Sequence, residues 1–262
     1  MTLDRRSSIV ALLGLLTGCG GGGSDGGSGP STAGTVQSSS IAARSNATSY
    51  PLSIYLPPAS AGARASLPVV YLLDGEARFQ TLVNVVEMAR APVIVVGIGN
   101  DALRNRDFVP VNVCTPDGGG EVAYFDFIRL QLVPFIESTF GGDPQRRILL
   151  GHSHGGSFVL FALFAEPAGA HSFHAYLAED ASIGCMTQAV ATWESGYAAA
   201  NASLPVRLQV GYAANLQNGP FVDQLQSRHY TGLVLTSQAY AGGHIGMIPA
   251  AFADGIAFAT AA

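Results

Sequence analysis

Residues 151–156 read Gly-His-Ser-His-Gly-Gly, directly after the apolar run Arg147-Ile148-Leu149-Leu150. Residues 151–155 fit G-x-S-x-G, and their surroundings constrain the fold more than their letters do. A strand pattern precedes them. After them, Ser157-Phe-Val-Leu-Phe-Ala-Leu-Phe-Ala165 is long and apolar enough for a buried helix. A strand turning sharply into a helix holds the serine in a strained backbone conformation, its Oγ projecting from the sheet. Glycines at 151 and 155 let neighbouring backbone approach where a Cβ would collide. The helix N-terminus then lies beneath Ser153, where its dipole favours developing negative charge. A plain glycine-rich turn would use the same letters, but the strand-before, helix-after context favours Ser153 as a nucleophile.

The rest of the chain supplies a scaffold for such a turn. Residues 35–43 and 49–56 read as early strands. Residues 68–74 and 92–99 are unbroken apolar runs, the pattern of strands buried on both faces. Helical spacing covers 79–90, and an amphipathic helix over 125–140 is predicted to kink at Pro134. Residues 173–178, 206–211 and 233–240 are further strands, separated or followed by helices near 186–199, 220–228 and 249–259. This alternation predicts an α/β fold: a mostly parallel sheet with helices on both faces. Right-handed crossovers gather the strand C-termini at one edge, where sites form. The folded domain is assigned to 35–262, a length that leaves no room for a large lid.

Two compositional facts prune the chemistry. The 262 residues contain no lysine; all 13 basic residues are arginine. Schiff-base catalysis, a Ser-Lys dyad and a Walker-type phosphate loop are therefore excluded. The net charge of −5, with no basic stripe, argues against a nucleic-acid partner.

Residues 1–18 have the layout of a signal peptide: Arg5 and Arg6, then a short apolar segment, then Leu16-Thr17-Gly18-Cys19. That ending resembles the lipobox of bacterial lipoproteins, in which the cysteine is lipidated; an ordinary signal with an incidental cysteine is the alternative. Residues 19–34 are almost wholly Gly, Ser, Asp, Pro and Thr and read as a flexible tether. The expectation is an exported lipoprotein touching the membrane through its N-terminal lipid only. It would sit at the outer membrane, on the periplasmic or surface face. Cys114 and Cys185 would pair as a disulfide in that oxidising setting, or remain as two separate thiols.

A serine hydroxyl needs a base to take its proton. In this architecture the chain order is Ser, acid, His. His174 falls in a predicted strand and reads as a packing residue. His229 follows a helix end and reads as surface. His244 lies in Ala241-Gly-Gly-His-Ile-Gly-Met247, a glycine-rich loop between the last strand and last helix, and is the expected base. His152 and His154 have an H-x-H spacing that looks metal-like, but the elbow should point them apart; no metal is assigned.

Several segments together resemble the esterase D-like, siderophore-esterase-like family of α/β hydrolases. They are Tyr71-Leu-Leu-Asp-Gly75, Asp107-Phe-Val-Pro110, Phe135-Ile-Glu through Arg146-Arg-Ile-Leu-Leu-Gly-His-Ser-His-Gly-Gly156, and Gly243-His-Ile-Gly-Met-Ile-Pro249. The resemblance runs in order over roughly residues 45–260. It implies an α/β-hydrolase fold, a Ser153–His244 pair, small-molecule ester substrates and no cofactor. It also implies an oxyanion hole from the backbone N–H groups of His154 and Glu76. The acid is where this chain departs. Family members carry Glu after the strand matching 206–211, but here the chain reads Tyr212-Ala-Ala-Asn-Leu216. Asp180 is preferred as the acid; Asn215, acting as an amide, and Asp223 are the alternatives. The leading function is hydrolysis of carboxylic esters through an acyl-enzyme. The missing family acid motivates a contrary reading, a non-catalytic envelope binding protein on a hydrolase scaffold. Thioesterase or acyltransferase chemistry would use the same elbow.

Overall fold

The structure is a computed structural model that describes residues 33–45, 47–213 and 218–261. The proposed signal peptide, Cys19, most of the tether (residues 19–32) and Asn215 lie outside the described residues.

Eight strands form one sheet: β1 (Thr35–Ala42), β2 (Ser49–Leu56), β3 (Val69–Leu72), β4 (Ile94–Ile98), β5 (Arg147–His152), β6 (Ala175–Glu179), β7 (Arg207–Ala213) and β8 (Val234–Tyr240). Their spatial order is β1-β2-β4-β3-β5-β6-β7-β8. The first two strands pair antiparallel, β2 joins β4 antiparallel, and every pairing from β4 onward is parallel. The helices are α1 (Ala61–Arg64), α2 (Gly75–Met88), α3 (Arg104–Phe108), α4 (Glu121–Phe127), α5 (Val133–Phe140), α6 (His154–Phe164), α7 (Ile183–Ala200), α8 (Asn218–Arg228), α9 (Gly243–Gly246) and α10 (Ile248–Thr260).

Period-two alternation sorts the central strands between two cores. Tyr71, Val96, Leu149 and Tyr176 point to the larger one, filled by Phe127, Phe158, Phe164 and their neighbours on α4, α6, α7 and α8. Val70, Val95, Ile148 and Leu177 point to the smaller one, covered by α2 and α10 through Leu82, Val86, Phe252 and Ile256. Helices thus cover both faces, as the sequence predicts, and the arrangement is that of an α/β hydrolase. Among the described residues, no helix is long and apolar enough to cross a membrane.

Two local details differ from the sequence expectation. The kink assigned to Pro134 is instead a π-helical stretch, Ile128–Leu132, with Pro134 in the first turn of α5. Proline lacks the N–H that would bond the preceding turn, and a wider turn upstream relieves that mismatch. His244 does not sit in an open loop but in the one-turn helix α9. Four residues with two glycines carry no detectable periodicity.

The strand order reverses direction between β3 and β5. From β3 the chain moves outward to β4; after β4 it crosses back to β5 on the other side. The two turns leaving β3 and β5 therefore stand side by side at the carboxyl edge, where a crevice forms. Register Leu72↔Leu150 brings Asp74 and Ser153 to that edge together.

Candidate active site

Ser153 occupies the turn between β5 and α6 with φ 63° and ψ −124°. A non-glycine residue there is strained, and the surroundings hold it. Its N–H donates to the Glu179 carbonyl at 2.9 Å, and its carbonyl accepts from Ser157 N at 3.0 Å and Ser182 N at 3.2 Å. Close packing fixes the turn as well. A Cβ on Gly151 would lie 2.3 Å from the Gly155 carbonyl oxygen, so glycine is required by backbone approach.

His244 reaches the same edge from the far end of the chain. Its Nδ1–H donates to Asp180 Oδ2 at 2.5 Å. Asp180 follows β6 directly, in the left-handed region at φ 44°, and is fully buried. Its second oxygen accepts from Ala213 N at 2.8 Å, and its own N–H donates to the Gly211 carbonyl at 2.7 Å. The carboxylate is thereby held on both sides, and the His244 ring is oriented with Nε2 left for a reacting group. Asp223, the other described candidate for the acid, is exposed on α8.

The Ser153 hydroxyl rests 3.3 Å from Ser182 Oγ, and among the described residues it makes no hydrogen bond to His244. Serine–histidine bonds are commonly long in unliganded hydrolases and tighten when substrate binds. Ser182 was not singled out in the sequence; its position two residues after Asp180 could have drawn attention to it.

The backbone N–H groups of His154 and Glu76 fall in the first turns of α6 and α2. N–H groups there lack intrahelical acceptors. Asp74, at φ 55°, starts α2 in the left-handed region without a side-chain cap, and a Cβ on Gly75 would lie 2.6 Å from the Gly97 carbonyl carbon. The Glu76 carboxylate turns aside to accept from Asn100 N at 3.0 Å. Burial raises the pKa of Asp74, and Arg104 opposes that rise. Arg104 Nε donates to Asp74 Oδ1 at 2.7 Å, and its Nη2 donates to the His152 carbonyl at 3.3 Å. One guanidinium therefore spans the turn after β3 and the end of β5.

The two histidines flanking Ser153 belong to different groups. His152 is buried, and its Nε2 lies 2.7 Å from the His244 carbonyl oxygen. His154 faces Cys114 and Cys185, which form a disulfide linking the segment after α3 to the start of α7. Burial pushes the His154 pKa below its ordinary value. Ligand-type atoms of His152, Asp180 and His244 lie within 4.8 Å of one another, as do those of Cys114, His154 and Cys185. In the first group His244 Nδ1 and His152 Nε2 are already hydrogen-bonded; in the second both sulfurs are bonded to each other. His174 sits at the opposite edge, within 2.7 Å of the Arg147 carbonyl and 3.1 Å of the Ala259 carbonyl. His229 is on the surface.

Asp107, in a segment that carries the family resemblance, is structural. It is buried, accepts from Arg106 Nε at 2.8 Å, and Arg106 Nη2 donates to Tyr50 on β2 at 2.8 Å.

Comparison with known proteins adds the following. A family model described as "Putative esterase" matches residues 44–206. Ferri-bacillibactin esterase BesA of Bacillus subtilis is 33% identical over 144 residues, covering 45% of this chain and 49% of that protein. The siderophore triacetylfusarinine C esterase of Aspergillus fumigatus is 35% identical over 139 residues, covering 46% of each. The chain thus spans about half the length of the curated relatives it matches. An IroE-like serine hydrolase from Shewanella oneidensis has a solved structure that superposes with a TM-score of 0.75 at 26% identity, covering 85% of this chain and 79% of that one.

Proposed function

The chain belongs to this esterase family, and on that premise we propose that it is a serine esterase of small-molecule carboxylic esters, working through an acyl-enzyme. Ser153 Oγ attacks the ester carbonyl while His244 Nε2 takes its proton. The tetrahedral oxyanion is held by the N–H groups of His154 and Glu76, each worth roughly 3 kcal/mol in such sites. His244 then protonates the departing alcohol. Water, deprotonated by the same nitrogen, releases the acid and restores Ser153. Asp180 keeps the imidazole in the required tautomer and stabilises its positive form.

The observation that carries this reading is the 2.5 Å contact between His244 Nδ1 and Asp180 Oδ2, on the same sheet edge as the strained Ser153. It also weakens the case for a non-catalytic scaffold, which rested on the missing family acid. The names of the relatives suggest siderophore esters as the substrate class to try first. We extend the proposal to location: export and lipid attachment at Cys19, as the sequence of residues 1–34 suggests.

The test is hydrolysis of a short p-nitrophenyl ester and of an iron-loaded cyclic triester siderophore by purified protein. Activity should vanish in Ser153→Ala and in His244→Ala. Full activity in either variant, or no fluorophosphonate labelling of Ser153 in folded protein, would overturn the assignment.

A further inference from the structure

We infer that His152 is a positioning residue whose ring N–H holds the main-chain carbonyl of His244 and so fixes the base relative to the neighbouring nucleophile. The inference rests on the esterase reading above and goes beyond its triad. His152 is the last residue of β5 and is paired in register with Glu179, so its backbone belongs to the rigid sheet. Its side chain is 2% exposed. Its Nε2 lies 2.7 Å from the His244 carbonyl oxygen. A carbonyl can only accept, so Nε2 carries the proton and donates. The two rings also pack, with centroids 4.4 Å apart and planes at 40°.

The need for such a hold is visible in the segment that bears His244. Residues 241–246 are exposed. Gly242 and Gly243 adopt φ values of 94° and 66°. Backbone of that kind is free to wander unless something grips it. Asp180 grips only the ring of His244; His152 grips its main chain. Two points of attachment define an orientation where one allows pivoting. His152 adjoins Ser153 in the chain, so nucleophile and base are referred to a single residue.

The neutral state of His152 suits the task. Burial first, then the nearby His244, Arg78 and Arg104, push its pKa down to about 3. The ring therefore stays an uncharged single-tautomer donor while His244 gains and loses its proton beside it.

Three variants test the inference: His152→Gln, which can offer an amide N–H at a comparable reach, His152→Leu, which cannot, and Ser153→Ala as the reference for esterase activity. Misplacing a catalytic group by about 1 Å costs up to about 100-fold. His152→Leu should therefore lose roughly 30-fold in kcat with KM within about twofold, and Ser153 labelling by a fluorophosphonate should slow in parallel. His152→Gln should recover most of both. Wild-type rates in folded His152→Leu, or His152→Gln no better than His152→Leu, would overturn the inference.

Nitrogen-15 NMR of histidine-labelled wild-type protein provides a check that needs no variant. His152 should show a protonated Nε2, a bare Nδ1 and no titration between about pH 5 and 8. A His152 that titrates normally, or carries its proton on Nδ1, would sink the proposal even if the protein proves to be an esterase. Conversely, hydrolysis that survives Ser153→Ala would refute the esterase reading while the NMR result still judged the hydrogen bond.

Discussion

Asp180 and His244, 64 residues apart in the chain, meet through a 2.5 Å hydrogen bond between Oδ2 and Nδ1. The carboxylate beside this imidazole comes from the turn after β6, whereas the family resemblance pointed to the turn after β7. The contact is possible because β6 and β7 are adjacent, and Ala213 at the end of β7 donates its N–H to the other Asp180 oxygen. A carboxylate one strand over still reaches the same imidazole.

If Asp180 orients His244, Asp180→Asn should leave the fold intact and remove most of the activity. The amide oxygen can still accept from Ala213, turning its NH2 toward Nδ1 and enforcing the wrong tautomer. We expect kcat to fall by about 10^3–10^4 with little change in KM. Steady-state kinetics on a p-nitrophenyl ester, with circular dichroism to verify folding, decide the matter; a loss below tenfold would reduce the enzyme to a Ser–His dyad.

Glu179 supplies a prediction about pH and stability. It is fully buried, accepts from Gln209 Nε2 at 3.0 Å, and has its pKa raised by burial from 4.5 to about 8. The folded chain therefore holds a proton that the unfolded chain releases above pH 4.5. Below that pH the residue imposes no penalty. Between there and about 8, each pH unit costs the folded state roughly 1.4 kcal/mol. Glu179→Gln, which mimics the protonated form, should leave stability nearly unchanged at pH 4.5 and raise it progressively toward pH 8. Urea unfolding at several pH values tests this. A parallel shift at every pH would mean the carboxyl is not protonated in the fold.

The Cys114–Cys185 disulfide closes a loop of 71 residues. Chain-entropy arguments give such a crosslink about 4 kcal/mol. Cys114→Ser with Cys185→Ser should lower the free energy of unfolding by roughly 2–4 kcal/mol, as should treatment of the wild type with a thiol reductant. Equal urea midpoints for oxidised and reduced protein would contradict this.

Gly151→Ala and Gly62→Ala form a matched pair. The first would place a Cβ 2.3 Å from a main-chain oxygen in the turn at Ser153; the second meets nothing within 4 Å. Gly151→Ala should cost on the order of 3 kcal/mol and abolish fluorophosphonate labelling. Gly62→Ala, inside α1, should be neutral or stabilise by about 0.5–1 kcal/mol. Similar unfolding curves for the two variants would show that the turn tolerates a side chain.

Attachment through Cys19 predicts that the full chain, expressed in a bacterium that processes lipoproteins, partitions with membranes and that Cys19→Ala moves it to the soluble exported fraction. Identical fractionation of both would point to an ordinary signal peptide.

The elements that long periodic stretches specify were legible in the sequence. The apolar runs ending at Asp74 and Gly99 became β3 and β4, and the pattern around Ser153 became a strand, a turn and a helix. Position along the chain also led to His244. The rest depended on neighbours distant in sequence. Asp180 could be preferred over Asn215 and Asp223 only narrowly, since nothing local reveals which turn lies opposite His244. At His152 and His154 the H-x-H spacing suggests a shared ligand, but an elbow is expected to point the two rings apart, and their partners are indeed separate; the hydrogen bond from His152 to the main chain of His244 had no signal in the sequence. Arg104 offered a clue that went unread: an aspartate at the end of a buried strand, such as Asp74, needs a cation nearby.

If Asp180 is the catalytic acid, the carboxylate is rooted after β6, and β7 supplies Asp180 with main-chain partners, the Gly211 carbonyl and the Ala213 N–H, rather than with a side chain. The end of β7 would then be constrained in its main-chain course rather than in the identity of its side chains, and a sequence change there would reach proton transfer only by moving that backbone.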